Sequence, residues 1–171
     1  MTAIFKYSTL VSAAGLMLVA LSISASDHPA TRVEPMDSVG PRPMEQQTQT
    51  SVVRDYLLAW QTLNRATEQN QTDLLDAYFV GQAKEKLADT IRDQQQLGIT
   101  TTYQDRSHNI KVVFYSPEGL SIELLDDVEY DVGIRDRERS MESQHVHARY
   151  VSVMTPTESK WKVRVFQGGA P

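Results

Sequence analysis

The amino-acid sequence predicts an α+β fold in which N-terminal helices pack on an antiparallel sheet of about four to five strands. Apolar residues recur at helical spacing before Gly98 and alternate with polar residues after it. Turn-forming stretches at 116–119, 135–141 and 156–159 separate the alternating segments, as consecutive strands require. Because the helices come first and the strands follow, the two kinds of element are segregated along the chain, which is typical of the α+β class.

Composition restricts the classes of function open to the chain. It has 171 residues and no cysteine, so disulfide bonds, thiolate metal ligands and a cysteine nucleophile are excluded. The formal net charge of −5 and the scattered basic residues disfavour nucleic-acid binding. The length that remains after a leader and a linker fits one domain with one hydrophobic core.

Residues 1–26 have the pattern of a signal peptide or a membrane anchor. Lys6 is the only charged residue in this segment, and the apolar run after it ends in small residues that suit cleavage before Asp27. An uncleaved anchor is the alternative, because residues 7–25 approach the roughly 20 residues that cross a bilayer. Both alternatives predict an extracytoplasmic domain, periplasmic or secreted, and residues 7–25 would tie the anchored form to the inner membrane.

Residues 27–50 are predicted to be a disordered, proline-rich linker. The stretch holds four of the seven prolines and almost no large apolar residue, a composition that favours an extended and unpacked chain. In an anchored protein this linker would hold the domain away from the membrane. Residues 51–171 then form the single folded domain.

Three helical segments are predicted at the start of this domain. Ser51 is the expected N-cap of the first segment, which carries Trp60 on its apolar stripe. After a polar turn at 64–72 comes a short second segment, and a third runs from Gly81 to a stop at Gly98.

Five strands are predicted near 100–105, 110–115, 120–134, 143–155 and 160–166. The third and fourth strands each have one apolar and one polar face. If their apolar faces lie on the same side of the sheet, the numbers of two paired residues must add up to an even sum. The loop between the strands suggests a sum near 276. This register sets Asp131 opposite His145, Glu129 opposite His147 and Asp127 opposite Arg149 on the polar face, and Asp126 opposite Tyr150 on the apolar face.

The last hairpin is expected to close the domain. Its turn at 156–159 would set Trp161 near Met154 and Val163 near Ser152. Trp161 would then lie on the inner face of the sheet, where contact with Trp60 would tie the first helix to the final strand.

Asp126 is the main candidate for a functional side chain, because it interrupts an apolar face where alternation predicts burial. One interpretation is structural: a β-bulge at 124–125 turns it outward, or it hydrogen-bonds Tyr150. The other is a pocket acid with a raised pKa that moves protons or orients a ligand, with Tyr150 as its partner. The sequence has no nucleophile elbow and no phosphate-binding glycine loop, so catalysis is the second hypothesis.

His145 and His147 form the weak candidate for a metal site. Both lie on one face of a strand, and Glu129 or Asp131 could add a carboxylate. Pairing with these acids across the strands explains the same residues without a metal, so no cofactor is expected.

The order of these elements resembles the nuclear-transport-factor-2-like (NTF2-like) superfamily, in which a curved sheet wraps around helices to form a cone. The resemblance covers about 52–166 and depends on Trp60 in the first helix and on the endings Ala148-Arg149-Tyr150 and Lys160-Trp161-Lys162-Val163. Within the superfamily these endings are similar to membrane-linked members, such as the chloroplast-division inner-membrane-space domains and the mycobacterial Mce-associated proteins.

The resemblance implies two alternative functions. Ketosteroid-isomerase-type members place an acid inside the cone, at a position comparable to Asp126, whereas other members mediate protein contacts or bind apolar molecules. The sequence departs from the enzymes, because it offers no clear second pocket acid and no hydrogen-bonding tyrosine pair besides Tyr103, Tyr130 and Tyr150.

The sequence therefore favours an exported, non-catalytic accessory domain that contacts an unknown protein partner or forms a homodimer. The alternative is a small-molecule pocket protein or isomerase-like enzyme that binds an apolar ligand in the cone and uses Asp126.

Overall fold

The computed structural model describes residues 29–35, 42–137, 139–140 and 143–169. Its helices are α1 (Gln46–Gln69), a short 3-10 helix (Thr72–Ala77) and α2 (Gly81–Leu97). Its strands are β1 (Ala30–Val33), β2 (Ile99–Tyr115), β3 (Ile122–Asp136), β4 (Arg139–Ser140), β5 (Gln144–Pro156) and β6 (Trp161–Gly169). The strand order is β1-β2-β3-β5-β6, with β4 paired to β3. The helices pack against one face of this curved sheet, which confirms the predicted α+β class.

The first helix begins five residues before the predicted N-cap. Ser51 lies inside α1, and the N-cap is Glu45, which makes no side-chain capping hydrogen bond. The glutamines and threonines before Ser51 are compatible with a helix, and Met44 just before it packs against the core, so the early start is stabilised by packing rather than by a cap. At the other end Asn70, in the left-handed conformation, terminates α1.

The predicted stop of the last helix is confirmed. Gly98 follows α2 with φ 70°, and its backbone N–H bonds to the carbonyl groups of the last helical turn.

Strand β2 is one 17-residue strand where two strands were predicted. Its pairing with β3 shifts between Asp105 and Ser107, so Arg106 is an extra residue in a β-bulge. The bulge reverses the alternation of side chains, and a sequence pattern that assumes a period of two therefore breaks at this point.

The predicted pairing of β3 with β5 is confirmed at every residue that the sum of 276 specifies, including Asp126 opposite Tyr150 and Asp131 opposite His145. The last hairpin differs by about two residues. Met154 pairs with Val163 and Ser152 with Phe166, because the turn at 157–160 is closed by the Thr157 N–H and the Lys160 carbonyl at 2.8 Å. The prediction of Trp161 near Met154 and Val163 near Ser152 was therefore wrong.

The prediction of disorder over 27–50 was wrong for β1 and for the start of α1. β1 pairs with β2 in parallel, Ala30 opposite Ser107 through Val33 opposite Ile110, which makes the sheet mixed rather than purely antiparallel. All four β1 residues are exposed, so backbone hydrogen bonds rather than burial hold this strand. Composition predicts whether a segment can build a core, and it does not exclude an edge strand.

Aromatic rings fill the space between α1 and the sheet. The Trp60 ring contacts the rings of His108, Tyr130, Tyr150 and Phe166, with centroids 4.9–5.9 Å apart. Phe166 therefore makes the link from the first helix to the last strand that was predicted for Trp161.

The predicted leader, residues 1–26, lies outside the described residues. Within the described part of the chain, none of the helices has the length and apolar character needed to cross a membrane.

Candidate functional site

Asp126 is fully buried on the inner face of β3, as the alternation of the strand predicts. Its pairing with β5 is regular, so the bulge that would turn it outward is not there. Its Oδ2 accepts a hydrogen bond from the Tyr56 hydroxyl at 3.0 Å and lies 2.7 Å from Nδ1 of His108. The acid is therefore paired by a helix residue and a strand residue, and the predicted structural hydrogen bond to Tyr150 is replaced by these two.

His108 is the residue of this site that sequence reasoning missed. In a regular strand the side chains of Asp105 and His108 would point to opposite faces of the sheet. The extra residue Arg106 in the bulge places both side chains on the same face. Asp105 lies opposite Tyr130 and His108 opposite Val128, and both of those partners are buried residues of the inner face.

Two carboxylates flank the His108 ring. Nδ1 faces Asp126, and Nε2 lies 3.8 Å from Oδ2 of Asp105, which is beyond hydrogen-bonding distance. Burial lowers the pKa of His108, but its interactions with Asp105 and Asp126 outweigh this effect and raise the pKa to about 9. The imidazole is thus held as a cation at neutral pH, and its charge is balanced inside the protein.

Tyr56 completes the cluster from α1. Its side chain is fully buried, and burial raises the pKa of its hydroxyl well above the ordinary value, with the Asp126 carboxylate raising it further. The hydroxyl therefore stays protonated and donates to Asp126.

Tyr150, the predicted partner of Asp126, contacts other groups. Its hydroxyl lies 3.4 Å from the hydroxyl of Tyr130. A Cβ atom at Gly168 would come within 2.8 Å of the Tyr150 ring, so this glycine allows the ring to lie directly on the backbone of β6. Tyr150 is thus packed as part of the aromatic core.

Asp126 lines neither of two openings that lie between α1 and β2. A wide groove of about 1160 Å³ runs between α1 and β2. A smaller cavity of about 220 Å³ adjoins it and is lined by Pro29, Thr31, Leu57, Gln61, Asp105 and His108. The groove and the cavity share Pro29, Gln61 and Asp105.

The weak metal candidate lies on the opposite, solvated face of the sheet. Nδ1 of His145 is 3.1 Å from Asp131, which also accepts from Nε of Arg106 at 2.8 Å, and His147 lies opposite Glu129. Among the residues that the structure describes, no three His, Asp or Glu side chains are grouped to hold a metal ion. His145 therefore makes the cross-strand contact with Asp131 that the register predicted, and His147 lies at its predicted position opposite Glu129.

The helices packed against the curved mixed sheet form the cone-shaped fold seen in NTF2-like proteins, as the sequence resemblance predicted. The intermembrane space region of chloroplast protein ARC6 has this fold with a TM-score of 0.63, 16% sequence identity, and coverage of 76% of this chain and 100% of that chain.

Two bacterial structures are also similar. A candidate scytalone dehydratase from Novosphingobium aromaticivorans matches with a TM-score of 0.54 and 12% identity, over 74% of this chain and 89% of its own. A candidate dehydratase of the NTF2-like family from Streptomyces avermitilis matches with a TM-score of 0.50 and 9% identity, over 71% of this chain and 98% of its own. At these identities the likeness is one of fold alone. No protein-family model matches the chain, and no curated protein matches its sequence.

Proposed function

We propose that this chain is an exported, non-catalytic accessory domain that contacts a protein partner, or a second copy of itself, at the cell envelope. The observation that carries the proposal is that Asp126 is buried and hydrogen-bonded within the chain. The acid is completely buried, and its Oδ2 is already bound by Tyr56 and His108 of the same chain. An acid that transfers protons to a ligand needs a cavity beside it, and Asp126 lines neither the groove nor the smaller cavity between α1 and β2.

Export is supported by the leader pattern in residues 1–26 and by the fold. The ARC6 region with the same fold is described as an intermembrane space region, which supports an extracytoplasmic location for this chain. Determining the N-terminal residue of the mature protein, together with its partition between detergent and aqueous phases, tests export. Cleavage before Asp27 or an intact anchor both support it, whereas an uncleaved protein in the aqueous phase contradicts it.

The end of the β2–β3 hairpin offers a surface for protein contact. Pairing shifts again between Val112 and Phe114, so Val113 is an extra residue and Phe114 turns to the outer face opposite Glu123. Val113, Phe114 and Leu120 are 41%, 39% and 61% exposed. Neighbouring exposed apolar side chains favour a contact with another protein.

Site-specific photo-crosslinking in the native cell tests this contact. A photoreactive residue at Leu120 should crosslink to an envelope protein or to a second copy of the chain. The matched control is Leu97, which is 69% exposed and is the last residue of α2, next to the opposite end of β2. A protein that is strictly monomeric and gives no more crosslinking from Leu120 than from Leu97 would contradict the proposal.

A further inference from the structure

The pairing of β1 limits how far the domain can lie from a membrane. This limit rests on the proposed export, in the form that keeps residues 7–25 as an anchor. β1 begins at Ala30, so only residues 26–29 separate the end of the apolar run at Ala25 from a strand that is fixed to the sheet. An extended chain spans at most about 3.6 Å per residue, so this tether reaches about 18 Å at most.

The direction of β1 decides which end of the domain faces the membrane. β1 runs parallel to β2, from opposite Ser107 to opposite Ile110, so the chain enters β1 from the side where β2 begins at Ile99. Pro29 agrees with this direction, because it lines the wide groove together with residues 103–106 of β2. The stretch of β2 from Ile99 to Ser107 is about 26 Å long, at about 3.3 Å per residue, which exceeds the reach of the tether. A tether that follows β2 therefore brings the Ile99 end of the sheet to the bilayer surface.

This end of the domain exposes two large apolar side chains. Leu97, the last residue of α2, is 69% exposed, and Ile134 of β3 is 38% exposed. The two lie at the same end, because Ile134 pairs with Thr101 near the start of β2, and α2 leads into β2 directly after Leu97. Exposed apolar side chains on a surface that also carries basic residues are suited to insertion between lipid headgroups.

The exposed basic residues of this end lie in and around the turn from β3 to β4: Arg135, Arg137 and Arg139. The backbone N–H of Arg137 bonds to the carbonyl of Gly98 at 3.4 Å, which places the turn beside the end of α2. Guanidinium groups donate paired hydrogen bonds to phosphate oxygens. The sequence also holds Asp136, Glu138 and Glu142 here, so the turn is close to neutral and long-range attraction to anionic lipids is small.

We infer that the membrane end, formed by Leu97, Ile134 and these three arginines, contacts the phospholipid surface of the membrane in which residues 7–25 are anchored. The apolar side chains insert between headgroups, and the guanidinium groups bind lipid phosphates. The proposed protein contact at the end of the β2–β3 hairpin then points away from the bilayer, towards partners in the aqueous compartment.

Fluorescence quenching in vesicles tests this contact. The full chain is reconstituted through its N-terminal segment in vesicles of equal parts phosphatidylcholine and phosphatidylglycerol. Because the sequence has no cysteine, a single label can be attached through Leu97→Cys or, as the matched position at the other end, Leu120→Cys, which replaces a residue that is 61% exposed. Lipids with a nitroxide headgroup should quench the label at residue 97 and leave the label at residue 120 bright. Equal quenching at the two positions, or none at residue 97, would overturn the inference.

A longer tether separates binding from enforced proximity. An insert of about twenty glycine and serine residues after Asp27 adds about 25 Å of flexible reach, so the domain is free to leave the bilayer. Quenching at residue 97 should persist, because the membrane end itself binds lipid. Complete loss of quenching would show that only the short tether held this end at the surface, and would overturn the inference.

Charge variants of the longer-tether protein identify the residues that bind. Arg135→Ser combined with Arg139→Ser should remove most of the quenching, because the phosphate contacts are lost. Lys86→Ser combined with Arg164→Ser removes the same charge from exposed positions elsewhere and should leave the quenching unchanged. Equal effects of the two double variants would contradict the assignment of the surface. Cleavage of the native protein before Asp27 would overturn this inference and leave the proposed export intact, so the two proposals can fail separately.

Discussion

Asp126 and Asp127 are neighbours on β3 with opposite surroundings. Asp126 points to the helices, is fully buried, and is bound by His108 and Tyr56. Asp127 points to solvent and receives two hydrogen bonds from Arg149, at 2.7 and 3.1 Å, in a pair whose side chains are 29% and 45% exposed. Both acids have a cationic partner at hydrogen-bonding distance, so geometry alone does not distinguish them.

The two pairs differ in whether water can solvate their charges when the pair breaks. When an exposed pair breaks, water solvates both charges, so the pair contributes little to stability. When one partner of a buried pair is removed, the other stays in a medium that solvates it poorly, and the loss is large. Two similar contacts one residue apart should therefore have very different consequences for the free energy of unfolding.

The largest effect is expected for Asp126→Ala. The substitution leaves His108 buried with only the more distant Asp105 carboxylate near it, and it removes the acceptor of the Tyr56 hydroxyl. We expect the free energy of unfolding, measured with urea, to fall by about 3–5 kcal/mol. Adding His108→Ala should cost less in the Asp126→Ala protein than in the wild type, because the two residues act as a pair. A loss below about 1 kcal/mol for Asp126→Ala would show that burial does not distinguish the two acids.

The second prediction uses pH to change the charge of His108 without mutation. Its pKa is about 9 in the folded protein, set by Asp105 on β2 and Asp126 on β3 against the effect of burial beside Tyr56 of α1. The ordinary value in the unfolded chain is about 6.5, so the folded state binds the proton more tightly. The stabilisation is complete below pH 6.5 and is lost as the pH rises through 9, and it amounts to about 3 kcal/mol.

Urea unfolding of the wild type and of His108→Gln at several pH values measures this contribution. The wild type should lose stability between pH 6.5 and 9 relative to the variant, and the exposed His145 and His147 cancel in the comparison. Parallel pH profiles for the two proteins would show that His108 is not held as a buried cation.

The polar and apolar faces of β3 and β5 could be predicted from sequence because their alternation is uninterrupted. A strand that buries one face can slip only by two residues, and the loop length then fixes the register, so Asp126 and Asp127 were assigned to the correct faces. The same reasoning failed on β2, because the bulges at Arg106 and Val113 reverse the alternation and no glycine or proline marks them.

That failure explains why the partner of Asp126 was missed. His108 is 18 residues from Asp126 along the chain, and its inward position depends on the bulge. Tyr56 lies on the buried face of α1, but its hydrogen bond to Asp126 depends on how the helix crosses the sheet, which the sequence pattern does not define. A buried acid predicted on one strand is nevertheless a signal to search the neighbouring strand for a histidine or arginine.

The smallest effect is expected for Asp127→Asn, and salt provides the decisive test. Hydrogen bonds from Arg149 lower the pKa of Asp127, so its contribution is present at neutral pH and is lost as the pH falls through the lowered pKa. We expect a decrease in the free energy of unfolding much smaller than that of Asp126→Ala, and one that shrinks as added salt screens the exposed pair. The loss for Asp126→Ala should not change with salt, because ions do not reach a buried pair. If the two losses were similar in size, or declined in parallel with salt, Asp126 would be accessible to solvent, and the burial of Asp126 that supports the non-catalytic proposal would be contradicted.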